Sequence, residues 1–429
     1  IRAITAVSNG NIRRCDSGSP VTITGGEGAL STTAKYIQST DLFSERFYTD
    51  GQSYRVYNPA LDTVVPYLAR STGEVPPRCQ LITTWRGAIM LARSENDPQN
   101  WHLSRRTRPY DWNTRLSPTT SDQAVSGNDT RVGRCPDIVN CLIPWNDDLL
   151  IFGGDKSVWR LTGDPMMPNS SMDDLNLGFG LAFGQPYCRD GDGRLWVISN
   201  HGSLYVATPD GGFKNVSEGR IERRLQSIDL STHYLRLEWD FRQKGIYIVV
   251  CPFGGVAGNV EYFLFDMKRG GFHPDDRFAA GHRVHSLATL NADRPDDRVM
   301  LSGCEDGHIR TWDETSGDDD GQPVTSYVDV GPLSAGDQDL ELMALRLEAT
   351  FDDAQHGATV GGYASNTAID PGDPLLEEYV EPGGSDNLPF RTRGKFLTFR
   401  ISNNALGRMW ALESMRVELA AAGPRRNRR

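Results

Sequence analysis

The chain has 429 residues, more than one ordinary hydrophobic core holds, and its length therefore predicts two domains. Hydrophobic residues make up 38% and charged residues 24% of the sequence, and no apolar run approaches the roughly 20 residues of a membrane helix. The formal net charge of −11 argues against a protein that coats nucleic acid with its whole surface. Because the sequence begins with Ile1 rather than Met, we expect either a processed chain or a start further upstream.

A β-hairpin is predicted around residue 307. Val299–Leu301 is apolar, Glu305-Asp306-Gly307 is a turn sequence, and Ile309–Trp312 is the expected return strand. Asp-Gly between two such runs is a strong hairpin signal, because the turn needs a positive φ that Gly adopts without a clash.

The same pattern recurs along most of the chain. With one turn residue taken per copy, the positions are 10, 51, 96, 155, 202, 258 and 307, with successive spacings of 41, 45, 59, 47, 56 and 49 residues. A repeat of about 40–50 residues with several short strands is typical of β-propeller blades, which pack face to face around an axis. Helical patterning is nearly absent, which argues against a helical solenoid. We therefore predict an all-β chain in which residues 1–320 form a β-propeller of six or seven blades.

Two inserts interrupt the repeats. A polar segment that begins at Arg105 and runs to Gly133 is expected to be an extended loop, either solvated or acting as a contact arm to a partner. The segment Thr162–Gly184 carries Met and Phe side chains, which on a loop bury against an oligomer or partner surface or pack beneath the propeller. The candidate partner contacts in these inserts are Arg105, Arg106, Arg108, Met166, Met167, Phe179 and Phe183.

The composition changes at Gly317-Asp-Asp-Asp-Gly321, which is acidic and lacks strand formers, and we place a domain boundary there. Five alternating segments follow, which predict a small antiparallel β-sandwich domain over residues 321–429. Residues 369–389, rich in Pro, Gly and acidic residues, are predicted to be a long loop. The chain ends in a basic tail whose Arg425, Arg426, Arg428 and Arg429 are further candidate contacts.

The sequence carries no recognised catalytic motif. The seven cysteines lack metal-ligand spacing and are expected to be reduced and mostly buried, as in a protein made in a reducing cytoplasm. Asp190-Gly-Asp192-Gly193 is interpreted as a turn because the later ligands of a calcium loop are missing. Ser94–Trp101 resembles a loose Asp-box, in which we expect the carboxylate of Asp97 to cap backbone N–H groups. We predict neither an enzyme nor a bound cofactor or metal.

The propeller-type hairpins, the Ser94-x-x-Asp97-Pro98-x-x-Trp101 turn and the C-terminal β-region together resemble the tail nozzle or tail-hub proteins of short-tailed bacteriophages. The C-terminal similarity lies in three stretches, Ser326–Pro332, Arg391–Asn404 and Trp410–Glu413. The resemblance implies a structural virion subunit, made in the host cytoplasm, that forms a homo-oligomeric ring, usually a hexamer, below the portal and adaptor. It also implies contacts with tail fibres or spikes and a lumen through which DNA leaves. It supplies no catalytic residues.

The charge distribution agrees with such a channel, because an acidic lumen repels DNA and lets it slide without specific binding. The basic clusters Arg105–Arg108 and Arg425–Arg429 are then expected to contact acidic neighbours in the tail. No membrane insertion is expected. The alternative function is a β-propeller glycan-binding protein or glycoside hydrolase that binds sugars with its aromatic loops.

Overall fold

The computed structural model describes most of the chain. The described residues are 4–15, 19–70, 73–114, 122–208, 212–255, 260–275, 282–290, 294, 298–311, 316–336, 340–352, 356–368, 373–382, 385–388 and 392–422. The chain divides into two compact units: unit 1 is Ile1–Asp276 with Gly281–Trp312, and unit 2 is Arg277–Ala280 with Asp313–Arg429. The described helical segments are short: α1 (Glu222–Gln226) and two 3₁₀ turns at Gly127–Asp129 and Phe253–Gly255.

Unit 1 begins with four antiparallel sheets, each formed by consecutive strands. Sheet 1 contains β1 (Thr5–Ser8), β2 (Asn11–Arg14) and β3 (Val21–Thr22). Sheet 2 contains β4 (Gln38–Leu42), β5 (Glu45–Thr49), β6 (Tyr54–Asn58) and β7 (Thr63–Pro66). Sheet 3 contains β8 (Cys79–Trp85), β9 (Ala88–Ser94), β10 (Trp101–Leu103) and β11 (Val125–Ser126). Sheet 4 contains β12 (Val139–Asn146), β13 (Leu149–Gly154), β14 (Val158–Thr162) and β15 (Ser171–Asp174).

Three further sheets complete the described part of unit 1. The short β16 (Gly184–Gln185) pairs in parallel with the first long strand of sheet 6. Sheet 5 contains β17 (Tyr187–Arg189), β18 (Leu195–Ile198), β19 (Leu204–Ala207) and β20 (Phe213–Asn215). Sheet 6 adds to β16 the strands β21 (His233–Asp240), β22 (Gly245–Pro252), β23 (Glu261–Asp266) and β24 (Gly271–Asp275). Sheet 7 contains β25 (Val284–Leu290), β26 (Val299–Cys304) and β27 (Ile309–Thr311).

Neighbouring sheets pack face to face through separate apolar clusters. In β8, Leu81 belongs to the cluster between sheets 3 and 4, whereas the next residue, Ile82, belongs to the cluster between sheets 2 and 3. In β12, Leu142 faces sheet 3 and Ile143 faces sheet 5. This alternation follows from the two-residue period of a strand and lets each sheet bury both faces. Similar clusters join sheets 1 and 2 and sheets 5 and 6.

Successive antiparallel sheets that pack face to face in chain order are the blades of a β-propeller. The first strands of neighbouring sheets also lie against each other, as β4 does with β8 and β8 with β12. Unit 1 therefore has the predicted all-β, propeller-type fold. The predicted turn positions 10, 51, 96, 155, 202 and 307 each lie between two strands of a different sheet, and position 258 lies outside the described residues.

The glycines of the predicted hairpins have the backbone conformation that the turns require. Gly10, Gly51, Gly202 and Gly307 have φ values of 73°, 78°, 77° and 82°. Around Gly307, the prediction of a hairpin is confirmed, because Leu301 pairs with Thr311 and Gly303 with Ile309.

Buried aspartates accept hydrogen bonds from backbone N–H groups at several turns between strands. Asp50 Oδ1 accepts hydrogen bonds from the backbone N–H groups two and three residues later, and Asp240 and Asp266 repeat this pattern. Asp190 Oδ1 accepts from the N–H groups of Asp192 and Arg194 at 3.0 and 2.9 Å. These N–H groups have no partner within the strand ladder, so the carboxylate supplies the acceptor they need.

Two local predictions in unit 1 need correction. The expected loop from Arg105 to Gly133 contains β11, which pairs with β10 and completes sheet 3. In the Asp-box-like turn, the carboxylate of Asp97 bonds to the Arg134 side chain rather than capping N–H groups. A backbone bond from Asn100 N–H to the Asp97 carbonyl closes that turn. The indole of Trp101 is buried and donates from Nε1 to the Gly133 carbonyl at 3.1 Å.

Unit 2 contains a small hairpin and two larger sheets. The hairpin consists of β28 (Asp318–Asp319) and β29 (Gln322–Pro323). Sheet 8 contains, in spatial order, β30 (Ser326–Leu333), β36 (Phe396–Asn403), β32 (Ala358–Ser365) and β33 (Leu376–Val380). In sheet 9, β31 (Glu341–Phe351) pairs with β34 (Ser385–Leu388), β35 (Thr392–Gly394) and β37 (Leu412–Ala422).

The two larger sheets of unit 2 contribute to one apolar core. Leu347 and Phe351 of β31 cluster with Val360 of β32 and with Phe399 and Ile401 of β36. Burial of each such side chain contributes about 1.5–3 kcal/mol, so this core is the main stabilising element of the unit.

One prediction for this region was wrong, and the segment at the predicted domain boundary forms strands although its composition lacks strand formers. The acidic stretch at 317–321 forms the β28–β29 hairpin, whose turn residues Asp320 and Gly321 have φ values of 52° and 79°. The predicted loop at 369–389 contains β33 and β34. β33 lies at the edge of sheet 8, where charged residues are tolerated, and its Glu377 and Glu378 therefore concealed the strand pattern. Whether residues 1–320 and 321–429 fold independently stays a prediction.

Replacing Gly307 by Val should destabilise the protein. The φ of 82° is strained for a β-branched residue, although no atom lies within 4 Å of the added Cβ, so strain alone sets the expected loss of about 1–3 kcal/mol. Thermal unfolding measures the change. Gly307→Asn is the matched control because Asn tolerates this conformation. Equal melting temperatures for the Val and Asn variants would contradict the assigned turn.

Removing the carboxylate of Asp190 should also destabilise unit 1. Its side chain is 1% exposed, and it accepts hydrogen bonds from two backbone N–H groups, the Arg194 guanidinium and the Trp196 indole. Asp190→Ala leaves buried donors without an acceptor, which costs about 1–3 kcal/mol in urea unfolding. The control Asp192→Ala removes a side chain that is 78% exposed and should change stability by less than about 0.5 kcal/mol. Similar losses in both variants would refute the capping role.

Candidate functional site

The carboxyl ends of the first strands of several sheets gather at one end of unit 1. Trp85 at the end of β8 donates a hydrogen bond from Nε1 to the carbonyl of Asn146 at the end of β12. Arg189 at the end of β17 donates to the carbonyl of Trp145, and Thr289 near the end of β25 bonds to Glu238 near the end of β21. Each of these bonds connects the carboxyl end of one first strand to the carboxyl end of another, so these strands run in the same direction.

A cavity of about 640 Å³ opens at these strand ends. Four consecutive sheets contribute to its wall, together with β16. Its lining residues are Pro144, Gln185, Tyr187, Cys188, Arg189, Glu238, Trp239, Phe241, Thr289 and Arg298. The volume lies within the range of about 300–1,000 Å³ that is usual for small-molecule sites. We call this cavity the strand-end pocket.

Glu238 is the one carboxylate among the lining residues of the strand-end pocket. Thr289 Oγ1 donates to Glu238 Oε1 at 2.8 Å, which orients the carboxyl group. Burial raises the pKa of Glu238 above its usual value, while the nearby Arg236 guanidinium opposes that rise. The pocket therefore contains an oriented hydrogen-bonding carboxyl group in a surrounding of reduced polarity.

Aromatic side chains form the apolar part of the same wall. Tyr187 belongs to β17, Trp239 to β21, and Phe241 follows the end of β21 with 36% of its surface exposed. Burial raises the pKa of the Tyr187 hydroxyl, so this group stays protonated and can donate a hydrogen bond at neutral pH. Arg189 is held in place by the carbonyls of Pro144 and Trp145.

A second aromatic group lies near the amino ends of the first strands. The ring of Tyr36 packs edge-on against Phe183 at 5.1 Å and Tyr234 at 5.2 Å, and Phe253 contacts both of these rings. The guanidinium of Arg93 lies 4.8 Å from the ring centre of Phe183. Burial raises the pKa of Tyr36 to about 12. Tyr36 precedes sheet 2 and Tyr234 belongs to sheet 6, so these contacts join sheets that are not neighbours in chain order. We call this group the aromatic plug.

Two of the three basic residues predicted as partner contacts in the first insert already pair with acidic residues of the same chain. Arg105 bonds to Asp122 at 2.6 Å and lies 3.5 Å from Asp111. Arg106 Nη2 lies 2.6 Å from the carboxylate of Asp164, an ion pair without hydrogen-bond alignment. Arg108 is exposed. The structure thus brings Arg105 and Arg106 into contacts that hold the insert, and it leaves Arg108 as the accessible member of the three.

The apolar candidate contacts of the second insert also differ in how deeply they are buried. Phe179 is only 8% exposed and stacks on Tyr205 at 4.2 Å, and Phe183 belongs to the aromatic plug. For both residues, packing within the propeller replaces the expected surface contact. Met166 packs against the core between sheets 3 and 4, whereas Met167 is 40% exposed. The candidates Arg425, Arg426, Arg428 and Arg429 lie outside the described residues.

Neither a metal-binding cluster nor a membrane-spanning helix occurs among the described residues. No group of three or more His, Cys, Asp or Glu side chains there could hold a metal ion. None of the described helices is long and apolar enough to cross a membrane. Six of the seven cysteines are buried, and burial raises the pKa of Cys141 and Cys251 to about 12.

Sequence analysis did not identify the strand-end pocket. Tyr187 and Glu238 lie about fifty residues apart in different repeats, and neither belongs to a motif. The available signal is that Glu238-Trp239 directly precedes Asp240, an aspartate that can cap a turn.

Comparisons with known proteins give similarity at the level of solved structures. No protein-family model matches the chain, and no curated protein matches it. The extracellular domain of a putative hybrid two-component system from B. thetaiotaomicron is 11% identical, with a TM-score of 0.49, over 84% of this chain and 42% of that domain. This chain thus spans less than half of that relative's length.

Two shorter structures match over more of their own length. YCF48 bound to a D1 peptide is 10% identical with a TM-score of 0.43, over 70% of this chain and 86% of that one. The N-terminal domain of Nup159 is 6% identical with a TM-score of 0.41, over 72% of this chain and 85% of that one. With TM-scores this low, the assignment of the fold rests on the sheets described above.

Proposed function

We propose that this protein is a structural subunit of the tail of a short-tailed bacteriophage, where copies of it form a nozzle or hub ring around the DNA exit channel. The main support for the proposal is the order of sheets and units along the chain. Seven propeller-type sheets form unit 1, and the compact all-β unit 2 follows them. This order accompanies the sequence resemblance to tail nozzle and hub proteins. In this proposal unit 1 closes as a seven-bladed propeller and unit 2 is an antiparallel β-sandwich.

The aromatic plug determines where DNA can pass. Tyr36 packs against Phe183 and Tyr234, and Phe253 contacts both of these rings. These contacts join sheets 2 and 6, which are not neighbours, and in this proposal they therefore lie across the centre of unit 1. Side chains packed in this way block a route through a single propeller. The proposed DNA channel is therefore the lumen between subunits of the ring, and the protein lines it without specific base contacts.

A structural role also agrees with the chemistry of the strand-end pocket. Hydrolysis of a glycosidic bond ordinarily uses two carboxyl groups about 5–10 Å apart. Glu238 is the single carboxylate among the residues that line the pocket. We therefore propose a protein without hydrolase activity. Its partners are further copies of itself and the portal, adaptor and fibre or spike proteins of the tail.

The oligomeric state provides the first test. We expect purified protein, or protein released from tails, to form rings of six copies of the 47.5 kDa chain in electron micrographs and in light scattering. A chain that stays monomeric at all concentrations and is absent from purified tails would rule out the ring.

The exposed basic residues provide the second test. Arg108→Glu and deletion of Arg425–Arg429 should each reduce incorporation into particles, because both remove proposed contacts to acidic neighbours, while the melting temperature stays unchanged. Lys214→Glu, a charge reversal at an exposed position of β20, is the matched control and should assemble normally. Particle composition after complementation is the measurement. Normal assembly with altered DNA retention or ejection would instead assign the basic tail to DNA.

A further inference from the structure

The strand-end pocket has no part in the proposed ring. Aromatic rings line one side of the pocket and hydrogen-bonding groups line the other. These residues lie on strands or, for Phe241, in the short turn after β21, and none lies on a long loop. The aromatic side consists of Tyr187, Trp239 and Phe241, and the polar side of Gln185, Glu238 and Thr289. A pocket in which apolar faces and a few placed polar groups converge is the usual form of a ligand site.

The charges around the pocket favour a neutral ligand. An anion would approach the carboxylate of Glu238, and a cation would approach the guanidinium groups of Arg189 and Arg298. The carbonyls of Pro144 and Trp145 hold Arg189 at the wall. Arg236 already lies close enough to Glu238 to influence it electrostatically. A charged ligand of either sign therefore meets a group of like charge.

The hydrogen-bonding groups favour hydroxyl-rich ligands. Glu238 offers acceptor oxygens oriented by Thr289, the Tyr187 hydroxyl and the Arg189 guanidinium are donors, and the Gln185 amide has both functions. A hydroxyl group both donates and accepts, so several hydroxyls on one ring can satisfy this mixed set. The C–H faces of such a ring can pack on Trp239 or Phe241.

From this combination we infer that the strand-end pocket binds a neutral carbohydrate, with Trp239 as the aromatic platform and Glu238 as the hydroxyl acceptor. The single lining carboxylate restricts this activity to binding. The inference does not depend on the ring, because every residue it uses belongs to unit 1 of one chain.

The test uses full-length protein and three neutral trisaccharides of different sugars: maltotriose, cellotriose and N,N′,N″-triacetylchitotriose. Calorimetry and tryptophan fluorescence should detect saturable binding of at least one of them. Trp239→Ala should weaken that binding about tenfold or more through loss of the platform. Glu238→Ala should weaken it comparably, whereas Glu238→Gln, which keeps an acceptor oxygen, should weaken it less.

The control variant is Phe43→Ala, which removes an aromatic ring that is 55% exposed in the β4–β5 turn, outside the pocket. It should bind the trisaccharide as the unchanged protein does. Melting temperatures identify any variant that fails to fold. If Trp239→Ala does not fold, Glu238→Gln still tests the pocket, because it keeps the shape of the side chain.

Three results would overturn the inference. The first is the absence of saturable binding by all three trisaccharides. The second is trisaccharide binding that folded Trp239→Ala and Glu238→Ala proteins retain in full. The third is tighter binding of tetramethylammonium than of any trisaccharide, which would identify the pocket as a cation cage for a peptide side chain.

Discussion

The turn between the strands of each blade is the constraint on which unit 1 depends. A tight turn leaves backbone N–H groups without strand partners, and in this protein buried aspartates such as Asp50, Asp190, Asp240 and Asp266 accept them. Because each capped turn sets where one strand ends and the next begins, it also sets which side chains face each neighbouring sheet. Part of the chain's acidity is thus structural, and these carboxylates are unavailable to a DNA channel or a partner.

Packing between blades then determines the two ends of the propeller. The apolar clusters lie between sheets, so the first strands stand side by side with a common direction. Near their amino ends, the aromatic plug joins sheets 2 and 6; at their carboxyl ends, the strand-end pocket opens. One arrangement of strands therefore yields packed aromatic rings at one end and a ligand-sized opening at the other. This asymmetry is compatible with a scaffold subunit that also recognises a small ligand.

The proposed virion role and the proposed carbohydrate binding involve different parts of the molecule. The proposed ring would use exposed residues such as Arg108 and Met167, whereas the proposed ligand site would use Glu238, Trp239 and their neighbours within unit 1. Either property can therefore be lost without the other. A tail protein that carries both would hold its carbohydrate at a fixed position within the particle.

The sequence by itself determined the repeat, because Asp-Gly turns and two-residue alternation are local consequences of backbone sterics and strand geometry. It misjudged β33, where exposed acidic residues on an edge strand resemble a loop, and it left open whether Phe179 and Phe183 contact a partner or pack beneath the propeller. Only the tertiary structure decided that Tyr187, Glu238 and Thr289 share one pocket. These residues belong to separate repeats, and they meet because packing between sheets brings the ends of distant strands together.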